Sequence, residues 1–164
     1  MFSRRRQGAI VCSYLSFTDP RLNRTFRLPL VHIRLRIGRN SLRTDALVDS
    51  GATATFIPID IMNMLGSDLK AEGEQQSEQE SGRHKKQDAV GAGGTFKTYK
   101  AKIDSLQVLK SSTVFCEFND LNVLVPAKRG SIPHSVLGRD SIFQKYDVTY
   151  RERKEQIVFR PPKP

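Results

Sequence analysis

The sequence predicts a mainly β, barrel-like domain with one or two short helices, and three observations carry that prediction. Short apolar segments with strand periodicity recur along most of the chain. Only two stretches have the punctuation of helices. A length of 164 residues with 38% apolar content suits one ordinary core and is too short for two large lobes.

Taken in order, Leu28–Ile37 alternates from Leu30 onward, with His32, Arg34 and Arg36 on one face and Val31, Ile33, Leu35 and Ile37 on the other. Thr44–Val48 leads apolar residues into Asp49. Thr95–Ile103, Leu106–Leu109, Val114–Phe118, Leu121–Val125, Asp147–Tyr150 and Gln156–Phe159 are further strands. A helix is expected over Pro58–Leu65, with proline near its start and Gly66 just past its end, and a second over Ser141–Tyr146. Many short strands and few helices favour a barrel.

The net charge is +10, and most of it comes from the amino-terminal third, where ten arginines face one acid. Residues 1–27 are expected to be a basic segment with a strand, and 28–164 the main domain. The opening Arg4-Arg5-Arg6 and Gly8–Cys12 mimic an export signal. Ser13 and Ser16 interrupt the apolar stretch, however, and no small-x-small cleavage site follows, so a basic cap on a first strand and a cytoplasmic location are expected. No run approaches the roughly 18 apolar residues of a membrane helix, so no membrane association is expected. The basic face could hold nucleic acid or an acidic protein. Its aromatics (Tyr14, Phe17, Phe26) are sparse, and a solvated face is the favoured reading. Residues 66–88 hold hardly any apolar side chain and are expected to be a flexible polar insertion.

Two cysteines, Cys12 and Cys116, are too few for a disulfide scaffold. His32, His84 and His134 lie far apart without ligand spacing, so neither a metal nor another cofactor is expected. His32, on an alternating strand, reads as a solvated face residue. No G-x-S-x-G elbow supports a serine hydrolase.

Ala46–Thr53 (ALVDSGAT) is the segment most suited to chemistry. An apolar strand delivers one carboxylate, Asp49, to the mouth of a core, followed by a hydroxyl and a turn-permitting glycine. Alone, an Asp-Ser-Gly tripeptide equally suits a surface turn. Two further motifs accompany it: a glycine-rich turn, Val90–Phe96 (VGAGGTF), and Ser135–Asp140 (SVLGRD), another apolar pair closed by glycine. The glycine-rich turn does not open a helix and lacks a following Gly-Lys-Ser/Thr, so it is a poor phosphate loop.

In this order the chain, over roughly Leu28–Phe159, resembles the retroviral-type aspartic proteases (retropepsins) and their cellular relatives. The resemblance implies a retropepsin-like acid-protease half-barrel that functions as a twofold homodimer on a polypeptide substrate, because only one Asp-Ser-Gly is present. Asp49 would be catalytic. Ser50 would bond across the dimer, Gly51 would offer its carbonyl to substrate, and Ala52 would leave room beside it. Gly91, Ala92, Gly93 and Gly94 would form the flap over substrate. Arg139 matches a buried structural brace. The viral pattern carries acids shortly after the motif where this chain has Thr53 and Ala54, and Asp45 is one alternative partner. The terminal strands, Ile10–Leu15 and Gln156–Phe159, are expected to contribute to the dimer sheet. The alternative to an endopeptidase is a non-catalytic binding module of the same fold, docking a protein or nucleic-acid partner.

Overall fold

A computed structural model describes residues 8–71, 73, 86–91 and 94–162. Among them, β1 (Ile10–Ser13), β2 (Leu15–Asp19), β3 (Arg24–Leu28), β4 (Leu30–Ile37) and β5 (Asn40–Val48) lead to α1 (Ile59–Met64). Then come β6 (Lys86–Gly91), β7 (Gly94–Lys110), β8 (Thr113–Pro126), β9 (Ser135–Leu137), α2 (Ile142–Lys145), β10 (Asp147–Arg151) and β11 (Gln156–Arg160).

The alternation of β4 is realised as read: Val31, Ile33 and Leu35 are buried while Arg34 and Arg36 are exposed. Its antiparallel pairing with β5 sets Leu30 opposite Leu47 and His32 opposite Asp45. One edge of β7 carries β6 at its start and β4 at its end, and the other carries β8 along nearly its whole length. The paired candidates Thr95–Ile103 and Leu106–Leu109 are therefore one strand, as are Val114–Phe118 and Leu121–Val125. Asp104 and Asp120 interrupt the apolar patterns and are skipped by the ladder, but the register is the same on either side of them.

A barrel closes through two short links. Strand β9 runs parallel to β5, pairing Ala46–Val48 with Ser135–Leu137. On its far side β9 bridges Phe56, which also bridges Leu124 of β8. The ring of pairings β4–β5–β9–Phe56–β8–β7–β4 thus leaves no gap. Ile33, Leu35, Val48, Ile57, Tyr99, Ile103, Leu106, Val125 and Leu137 fill its core.

Outside the ring, β1, β11 and β10 form a three-stranded sheet with β11 in the middle. The hairpin β2–β3, absent from the sequence reading, pairs Phe17 with Phe26 and Thr18 with Thr25. Its turn is closed by Asp19 Oδ1, which accepts the Arg21 amide at 2.8 Å, and by Asn23 in the left-handed region at φ 47°. The boundary expected between residues 27 and 28 does not coincide with a structural break. It falls inside β3, and β1 is joined to β11 near the other end of the chain.

The polar insertion is also shorter than read. Leu69 (3% exposed) and Ala71 (4%) are buried in the core, and Asn63 and Tyr99 donate to the carbonyls of Leu69 and Lys70. Lys86–Asp88 belong to β6. Residues 72 and 74–85 lie outside the described residues. Both observed helices are one residue shorter at each end than expected, at Ile59–Met64 and Ile142–Lys145.

The terminal strands do form a sheet, but with each other inside one chain. Ile157, Val158 and Phe159 are each essentially inaccessible. Truncating a buried side chain of this size costs about 2–5 kcal/mol, against a total stability of about 5–15 kcal/mol. Deleting residues 156–164 is therefore expected to leave an unfolded chain, not a folded monomer. Loss of the cooperative thermal transition in circular dichroism checks this, and a folded, purely monomeric truncation would contradict it.

Candidate active site

β5 carries Asp49 out of the core. The Val48 amide donates to the Pro29 carbonyl at 3.0 Å, and the Asp49 amide to the Leu137 carbonyl of β9 at 3.2 Å. Beyond that point the chain turns on itself. Asp49 Oδ1 accepts the Gly51 amide at 2.8 Å, and its carbonyl accepts the Ala52 amide at 3.2 Å. The carboxylate is half-buried while Ser50 and Gly51 are exposed. A Cβ on Gly51 would sit 3.1 Å from Asp49 Oδ1, so a side chain there would crowd the carboxylate.

β9 threads between this turn and Phe56, and its exit is tighter still. A Cβ on Gly138 would lie 2.2 Å from the Ala54 carbonyl oxygen and 2.9 Å from that of Ala52. Two backbones pass where no side chain fits. Arg139 then clasps the active-site turn twice, its amide donating to Ala52 O at 2.9 Å and its Nε to Ser50 O at 2.8 Å. A buried brace was expected at Arg139; the contacts are of the kind a brace makes, but the side chain is exposed in the single chain, not buried. It reaches the turn from outside because its target is an outward-facing carbonyl.

Asp140, to which sequence reading gave no role, anchors the other end of the turn. Its two carboxylate oxygens accept the Thr55 amide at 3.0 Å and the Thr55 hydroxyl at 2.7 Å. The buried Thr55 and Ser141 hydroxyls lie 2.8 Å apart, and Ser141 Oγ donates to the Gly138 carbonyl. Asp45, suggested as an alternative acid, is engaged elsewhere: its Oδ1 lies 2.6 Å from Nδ1 of His32, the residue opposite it in the ladder. His32 is therefore half-buried and hydrogen-bonded to Asp45, not a free solvated residue. A second residue missed in the sequence is Tyr150, whose hydroxyl donates to the carbonyl of Val48 across a separation of 102 residues.

The glycine-rich turn caps the hairpin β6–β7, with Gly91 paired to Gly94. Ala92 and Gly93 lie outside the described residues. Val90 is 82% exposed, and the Phe96 ring stands 6.1 Å from that of Phe56, beside the bridge to β9. A cavity of ≈ 320 Å³ opens next to Phe96, lined also by Thr95, Lys97, Pro126, Lys128 and Ser131.

Among the described residues no three His, Cys, Asp or Glu side chains converge to hold a metal ion; His84 is outside them. Burial pushes the Cys12 thiol up and that of Cys116 to about 11, the opposite of an activated nucleophile. His134 is half-buried with its ring edge against Phe17, and burial lowers its pKa. Of the amino-terminal arginines, Arg21 pairs with Asp19, Arg27 with Glu155, and Arg43 donates to the Ser111 carbonyl. Arg4, Arg5 and Arg6 are outside the described residues. Among the described residues no helix is long and apolar enough to cross a membrane.

A family model described as aspartyl protease matches residues 33–141, and the chain belongs to that family. Among solved structures it is similar to a retropepsin-like aspartic protease from Rickettsia conorii, with a TM-score of 0.57 and 15% identity over 93% of this chain and 98% of that one. The fold is accordingly retropepsin-like, and family membership supports a protease-type function. Comparison with curated protein sequences gives no match.

Two substitutions test the architecture of the turn. Gly138→Ala forces two backbones apart and should cost about 3 kcal/mol or more, a fall in Tm of about 10 °C. Thr55→Val keeps the volume but removes the donor to Asp140, and should cost about 1–2 kcal/mol in urea unfolding. Wild-type stability in either variant would mean that the corresponding contact does not hold the turn.

Proposed function

We propose that the chain is an aspartic endopeptidase that acts as a twofold homodimer, one Asp49 carboxylate coming from each subunit. The observation that carries this reading is the Asp49 turn itself. A half-buried carboxylate sits at the end of a core strand, and backbone bonds to β9 and two contacts from Arg139 hold its peptides. A hydrolytic group needs such preorganisation, whereas a surface turn does not.

In the dimer two carboxylates face each other, and like charges at short range disfavour double ionisation, so the pair holds one proton. The ionised member takes a proton from a bound water as its oxygen adds to the scissile carbonyl carbon. The protonated member gives its proton to the carbonyl oxygen, leaving a neutral gem-diol. Proton return to the amide nitrogen breaks the C–N bond and yields an acid and an amine. The proton inventory closes on the two carboxyls and water. Ser50 bonds across the twofold axis, the Gly51 carbonyl meets substrate backbone, Ala52 keeps that approach clear, and the hairpin tip at Gly91–Gly94 closes over the peptide and excludes water. The exposed Val90 gives that tip an apolar contact surface. The terminal sheet supports the dimer: among the described residues β1 and β10 are its edge strands, each with a row of backbone groups to which a second copy can add.

The test is cleavage of a mixed peptide library across pH by the wild-type chain and Asp49→Asn in parallel. Wild type should cleave best on the acid side, with a rate per chain that rises with chain concentration. Asp49→Asn should lose about 10²–10⁴-fold or more while melting like wild type. Equal background cleavage by both proteins would favour the binding module.

A further inference from the structure

The peptide unit joining Val48 to Asp49 is held in an unusual way. The register of β4 and β5 pairs Leu30 with Leu47, which places Pro29 opposite Val48. In an antiparallel ladder such a pair exchanges two bonds, one from each amide. Here one is made, from the Val48 amide to the Pro29 carbonyl at 3.0 Å. The return bond has no donor because proline lacks an N–H. The Val48 carbonyl, last before the catalytic residue, would be left without a ladder partner, at a cost of about 1–3 kcal/mol if buried.

Tyr150 fills that gap, its hydroxyl donating to Val48 O at 2.9 Å. It lies on β10 opposite Ile157 of β11, on the face of the terminal sheet that packs against the core. The same peptide unit is tied at its other end, where the Asp49 amide donates to Leu137 O. Both polar atoms of the plane that carries the Asp49 Cα are therefore pinned, one by β9 and one by Tyr150. Burial, followed by the nearby Asp49 carboxylate, pushes the phenol up, so that it stays a protonated donor; the Ser50 amide and hydroxyl and Glu152 are its other neighbours.

We propose that Tyr150 is a positioning residue for catalysis: its hydroxyl replaces the amide that Pro29 lacks and so fixes the orientation of Asp49 from the terminal sheet. This rests on the endopeptidase reading above. It ties the sheet on which dimerisation depends in that reading to the geometry of the catalytic carboxylate.

The test uses Tyr150→Phe, which keeps the ring and removes the donor, and Pro29→Ala/Tyr150→Phe, which returns a backbone donor to the same carbonyl. On a peptide chosen from the library, Tyr150→Phe should lower kcat about tenfold or more with KM within about twofold and a near-native melt, and the double variant should recover most of the loss. Amide hydrogen exchange at Asp49 should quicken in Tyr150→Phe and slow again in the double variant. Unchanged kcat and exchange in Tyr150→Phe, no recovery in the double variant, or failure of Tyr150→Phe to fold would each overturn the assignment. If the wild type cleaves nothing, the endopeptidase reading falls. The exchange measurements then still decide whether Tyr150 holds this peptide.

Discussion

The close passage of two backbones at Gly138 is the constraint on which the rest of the structure depends. Strand β9 can lie between β5 and Phe56 only if its exit slips under the carbonyls of Ala52 and Ala54, where no Cβ fits. That insertion closes the barrel, supplies the Leu137 carbonyl to the Asp49 amide, and brings Arg139 and Asp140 to opposite ends of the active-site turn. The geometry of the Asp49 turn and the closure of the barrel are thus one feature seen from two sides. Any loosening of the crossing reaches the carboxylate without passing through intermediate side chains.

The turn is held almost wholly through its main chain. Arg139 addresses carbonyls, Asp140 addresses an amide as well as a hydroxyl, and Tyr150 addresses the carbonyl before the aspartate. Side-chain identities inside the turn can therefore vary, as Thr53 and Ala54 do from the viral pattern, while the carboxylate keeps its position. In this chain the acid that anchors the turn, Asp140, lies on the far side of the crossing.

Much of this was legible because apolar periodicity and glycine placement report directly on burial and close approach. Val31, Ile33 and Leu35 announced β4 and ALVDSGA announced the strand and turn at Asp49, while the glycine of LGRD reads only as closing an apolar pair, not as the site of a backbone crossing. What stayed hidden was non-local or locally polar. β2 and β3 read as polar because their exposed face carries Ser16, Thr18, Thr25 and Arg27, and their register comes from a turn made by Asp19 and Asn23. The burial of Leu69 and Ala71 depends on Asn63 and Tyr99 receiving that segment, which no window of sequence displays. The exposure of Arg139 was misjudged, since burial is a property of the assembled surroundings. Pro29 was the one visible clue to Tyr150: a proline opposite the last strand residue before an aspartate leaves a carbonyl in need of a donor from elsewhere.

The pairings that complete the molecule join segments far apart in sequence: Ala46–Val48 with Ser135–Leu137, and Ile10–Ser13 with Gln156–Phe159. Such a topology folds slowly, because loop-closure entropy is lost before these contacts can compensate for it. A ribosome-bound chain that has emerged only as far as β8 has the Asp-Ser-Gly segment but neither β9 nor the terminal sheet to shape it. The Asp49 turn is consequently among the last features to take its shape, and a partly synthesised chain carries the aspartate without the contacts that hold it.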